Sequence, residues 1–154
     1  MLISSPRALP LSIQAACAVL AFAMVPTAGL LLALPQLALP GLAGARPVLT
    51  TLANVGVLAL FSPIVAWPGM VLLTPAAMVL SWARLAGYGS LAILGAAIGP
   101  PVALAMLTEW DIREFGGLLT FAAFGGLYGV TYGAVLAAAD RLRARMTHDG
   151  ADTL

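Results

Sequence analysis

"GGLLTFAAFGGLYGVTYGAVLAAA", residues 116–139, holds twenty-four positions without one Asp, Glu, Lys, Arg or His. A helix of that length is about 36 Å long, against a hydrocarbon core of about 30 Å. Its apolar residues run on without the strict alternation of a strand, so the segment reads as a membrane-spanning helix rather than a barrel strand.

The same pattern recurs along the chain. No Asp, Glu, Lys or Arg occurs at 8–45, 47–83 or 85–108 either. Of the 154 residues 62% are hydrophobic and 8% charged, whereas a soluble domain carries about a quarter charged residues. Such a chain cannot cover a core with polar surface. The reading is an all-α integral membrane protein forming a single membrane domain over 1–154. Four transmembrane helices are expected, at about 11–34, 48–66, 86–107 and 116–139.

"TPAAMVLSWARLAG", 74–87, is a weaker candidate, with Thr74 placed as N-cap, Pro75 at the first helical position and Gly87 as a stop. At about a dozen residues it is short for a span, and it reads as an interfacial helix over 75–86. A fifth, tilted span is the alternative. Residues 140–154 read as a short tail that extends the last helix by a turn or two. The apolar run after Arg7 continues to Leu34, too long for a signal peptide, and reads as an uncleaved first span.

Arginine placement orients the chain. In four spans, Arg7, Arg84, Arg141, Arg143 and Arg145 share one side, and Arg46 and Arg113 lie opposite. The C-terminus is therefore expected in the cytoplasm of a bacterial inner membrane. Arg141, Arg143 and Arg145 stand where anionic phospholipid headgroups would meet them. A net charge of +1 indicates no nucleic-acid partner.

Chemistry-bearing groups are scarce. "TEWDIREF", 108–115, collects Glu109, Asp111, Arg113 and Glu114, and Trp110 suits an interface. A solvated turn between two spans accounts for these charges better than a carboxylate site, because no histidine or nucleophile accompanies them. The single histidine, His148, lies in the tail, and Cys17 is the single cysteine. No catalytic, cofactor or metal site is expected, and no mid-span ionisable group suggests ion-coupled transport.

Small residues supply the most specific pattern. Gly125, Gly129 and Gly133 recur every fourth position, and Gly95 and Gly99 lie with Ala92, Ala96 and Ala103 on one face of the preceding span. Such faces let helices approach closely in lipid, so these two spans should form the tightest pair, while the first two are read as lacking such faces. A hairpin closing at 107 and 116 sets facing residue numbers to total about 223. Two polar contacts follow from that register. The Tyr128 hydroxyl should serve a carbonyl of Ala96 or Ala97, freed because Pro100 and Pro101 have no N–H. Arg84 should reach Asp140 in a salt bridge.

The leading expectation for function is an accessory, structural or assembly subunit of a larger membrane complex, partnered by other membrane subunits and lipid. The alternative is a transporter or channel component for a neutral or hydrophobic solute, with Asn54, Thr51 and Tyr128 along its path. The third is a small membrane enzyme using Glu109 and Asp111.

Overall fold

A computed structural model describes residues 9–38, 47–106 and 115–149. All of the regular structure in these residues is helical, in five helices with no strand: α1 Leu11–Ala38, α2 Pro47–Phe61, α3 Pro63–Trp82, α4 Tyr88–Met106 and α5 Phe115–Asp149. Three stretches are each long and apolar enough to cross a membrane, Leu11–Leu34, Tyr88–Met106 and Gly117–Met146. Helices α2 and α3 meet that test only when taken together, and they are bent by 72°. At 15 residues α2 alone measures about 22 Å, short of a bilayer core.

The interfacial helix expected over 75–86 is not a separate element. It is the second half of α3, which starts at Pro63 and runs unbroken through Pro68 and Pro75. Proline suits a helix start but also tolerates the interior of an apolar helix when neighbouring groups satisfy the freed carbonyls. Thr74 is accordingly no N-cap, and its Oγ1 donates back to the Met70 carbonyl at 2.8 Å. Thr27, next to Pro26 within α1, does the same to Ala23 at 2.7 Å.

The stop of α3 also differs from expectation. The helix ends at Trp82 with Ala83 as its cap, and the turn that stops it, three residues before Gly87, is at Arg84, whose φ is 57°. Arg84 N–H donates to Ser81 O at 3.1 Å and Leu85 N–H to Leu80 O at 2.8 Å. These are the paired bonds of a Schellman motif, with arginine at the left-handed position where glycine is usual. Gly87 instead opens α4, its carbonyl accepting from Leu91 N–H at 3.0 Å.

The most extensive helix pair is α4 with α5, followed by α1 with α2. Helix α1 also packs on α5 and α3, and α3 packs on α4, so the two pairs close around one core. Ala21, Ala77, Leu91, Ala103 and Tyr132 are wholly inaccessible within it. The first pair has a small-residue face after all. A Cβ on Gly29 would lie 2.7 Å from Gly56 O, and one on Gly56 would lie 2.7 Å from Ala33 N. Real Cβ atoms do not come so near, so only glycine permits this approach. Helix α5 continues to Asp149, about ten residues past the anticipated end of its span.

A candidate ligand groove at the break between α2 and α3

The break is built on a serine followed by a proline, Ser62-Pro63. Pro63 has no N–H, so the carbonyl of Ala59, four residues earlier, loses its helical donor. Ser62 supplies the replacement. Its Oγ donates to Ala59 O at 2.7 Å, and its N–H reaches the same oxygen at 3.3 Å. Because the serine proton is committed to Ala59, the Tyr128 hydroxyl is the donor in its 2.8 Å contact with Ser62 Oγ. A relay thus runs from Tyr128 through Ser62 to Ala59. The Tyr128 ring lies against Phe22, with centroids 6.1 Å apart, which holds the phenol in place.

Tyr128 therefore does not serve Ala96 or Ala97. The register explains the difference. A Cβ on Gly95 or on Gly125 would collide with the other residue's carbonyl; one on Gly99 would strike Phe121 O and one on Gly129 Leu91 O. Facing numbers total 220 in each case (95 with 125, 99 with 121, 91 with 129), three fewer than loop closure suggested. Backbone contact between glycines set the register, and it directs Tyr128 towards α1 and the break. Gly133 is looser, since a Cβ there would meet Leu91 Cδ1 at 3.3 Å and Tyr88 Cδ1 at 3.4 Å.

Beside the relay lies a groove of about 410 Å³. Leu58 and Phe61 of α2 form one wall, and Gly69 and Met70 of α3 contribute a second. Ile98 and Val102 of α4 with Phe121 and Phe124 of α5 complete it. No charged side chain lines it, and its hydroxyls are those of Thr120 and of the adjacent pair Ser62 and Tyr128. This size falls within the roughly 300–1,000 Å³ of ligand pockets. Gly69 leaves room here, because a Cβ added to it would meet only Ile98 Cγ2, at 3.9 Å.

The remaining expected positions lie apart from the groove or at its edge. Asn54 is exposed on α2, on the face opposite Gly56. No ion pair joins Arg84 to Asp140 among the described residues: Arg84 is exposed in its Schellman turn and Asp140 half-buried on α5. The corrected register sets Arg84 level with residue 136, a turn short of Asp140. Arg141, Arg143 and Arg145 are exposed on the last turns of α5. Glu109, Trp110 and Asp111 lie outside the described residues. Among the described residues no group of His, Cys, Asp and Glu is arranged to hold a metal ion.

Ser62, Gly29 and Gly56 escaped sequence reading, although Ser-Pro inside a charge-free run is itself the signal of a satisfied break. Gln14 escaped it too. It is 2% exposed, its Nε2 donates to Leu9 O at 2.7 Å, and its Oε1 has no hydrogen-bond partner among the described residues. Tyr132 approaches the Gln14 carbonyl at 3.4 Å, tying α5 to the start of α1. Comparison with protein-family models, with curated proteins and with solved structures found no match to this chain.

Proposed function

We propose that this chain is a four-span membrane protein that holds one neutral, hydrophobic molecule in the groove beside Ser62 and Tyr128, as a transporter or carrier component. The observation that carries the reading is the 410 Å³ apolar cavity whose lining includes the hydrogen-bonded hydroxyl pair Ser62 and Tyr128.

In this reading α2 and α3 form a single bent span. The contacts of Gly29 with Ala59 and of Gly56 with Ala33 make α1 and α2 antiparallel, with facing numbers near 88 (29 with 59, 33 with 56). Continued along the pair, that spacing sets Ser62 near Pro26, well inside the apolar stretch Leu11–Leu34. The break then lies deep in the bilayer, where irregular backbone is tolerated only if buried or lining a cavity. The relay and the groove meet both conditions. Arginine placement supports a cytoplasmic C-terminus in this reading.

Filling the groove tests this. Gly69→Phe places a ring in open space and should leave the fold intact while abolishing uptake or exchange of a hydrophobic solute by reconstituted vesicles. Full activity with the groove filled would refute the assignment.

An accessory subunit is the second reading, on narrower grounds than the glycine pattern suggested. Gly29, Gly56, Gly95, Gly99, Gly125 and Gly129 all face partners within the chain, so they offer no docking surface. What favours it is the end of α5, where Leu142 and Met146 are exposed alongside Arg141 and Arg145. That surface suits anionic phospholipid or a neighbouring subunit. Stoichiometric copurification in mild detergent, lost on Leu142→Glu, would favour this reading.

A further inference from the structure

We infer that the groove selects a single-chain amphiphile with an uncharged, hydrogen-bonding head, bound head-first at Asn54 with its tail running to Ser62 and Tyr128. The inference rests on the groove assignment above and adds the ligand's class and orientation.

Asn54, Leu58 and Phe61 stand at i, i+4 and i+7, which places them along one face of α2. Leu58 and Phe61 line the groove, so Asn54 lies on the same face one turn further towards Pro47, just outside the lining. The antiparallel spacing of α1 and α2 sets Asn54 near Leu34, the end of the first apolar stretch, and Ser62 near Pro26 within it. The amide is thus nearer the membrane surface and the hydroxyl relay is deeper.

Asn54 is exposed, and no hydrogen bond joins it to another described residue. An amide facing hydrocarbon without a partner is costly. It offers two donors and an acceptor, so a head that both accepts and donates satisfies it best. A hydroxyl or glycerol head does both. A carboxylate or phosphate head would set a charge at the mouth of a groove with no cation in its lining. Between the levels of Asn54 and Ser62 the helix rises about 12 Å, the depth available to the tail.

The test uses the full chain in lipid nanodiscs and a monoacylglycerol carrying a photoreactive group at the tail end. A fatty acid with the same tail is the charged control. The expected result is labelling concentrated at Phe61, Ile64 and Tyr128, competed by unlabelled monoacylglycerol and several-fold weaker for the fatty acid. Asn54→Leu should reduce labelling several-fold, and Asn54→Gln should retain most of it. Asn54 lies on an exposed face, so unchanged helicity and detergent unfolding of both variants will show the fold intact. Groove labelling that ignores Asn54→Leu, or equals that of the fatty acid, overturns the head-group inference and leaves the groove assignment standing. Labelling spread evenly over all outward-facing helices overturns both.

Discussion

Gly95 and Gly125 meet across the α4–α5 hairpin so closely that each residue's carbonyl occupies the space a Cβ on the other would need. Neither can take a side chain without moving a helix. Gly125→Leu should therefore destabilise the protein by at least the 1–3 kcal/mol typical of overpacking, read as an earlier transition in a detergent-unfolding titration. Gly126→Ala is the control. Its Cβ would stand 3.5 Å from Ala92 O, and the change should be nearly silent.

The same argument applies to the first pair of helices. Gly56→Val should separate α2 from α1 and cost on the order of 2 kcal/mol. The loss should appear as an earlier transition in the same detergent-unfolding titration. A neutral Gly56→Val would remove the α1–α2 contact from the account of stability.

The relay at the break predicts unequal effects for its two members. Tyr128→Phe removes one hydrogen bond and leaves Ser62 donating to Ala59, so it should cost only ~0.6 kcal/mol. Ser62→Ala strands both the Ala59 carbonyl and the Tyr128 hydroxyl, and should cost about 1–3 kcal/mol. In the double variant the costs should fall short of additive, because the two residues share one network.

Arg84 separates two explanations of the same residue. As the left-handed member of a Schellman turn, it carries strain of roughly 1 kcal/mol that glycine would relieve. Arg84→Gly should then stabilise the protein or leave it unchanged, and Asp140→Ala should have no effect beyond ~0.5 kcal/mol. A clamp between Arg84 and Asp140 would make both substitutions destabilising, by similar amounts. Thermal unfolding of the two variants decides the matter.

Composition alone determined that this chain forms helices long and apolar enough to cross a membrane, because its four long stretches carry no charge and its apolar runs are continuous rather than alternating. Helix termini near Leu11, Tyr88 and Phe115 were legible for the same reason: charge, proline and glycine mark where such a run must end. Helix α3 was not, since proline has two meanings. Pro63 starts a helix, while Pro68 and Pro75 lie inside one, and only the groups that satisfy the freed carbonyls distinguish them.

Gly95, Gly99, Gly125 and Gly129 could be singled out by spacing, but loop closure at 107 and 116 sets Gly95 against Tyr128 and Gly99 against Phe124, whereas a total of 220 sets Gly95 against Gly125. Carbonyl contact between the backbones chose among these registers, and that choice turned Tyr128 from Ala96 to Ser62 and left Arg84 short of Asp140. The groove followed from the same event. Its walls come from four helices, and the space between them depends on how closely glycines let two of those helices meet and how far Ser62-Pro63 bends a third. Those are distances and angles between segments remote in the chain, which local sequence does not encode and tertiary packing does.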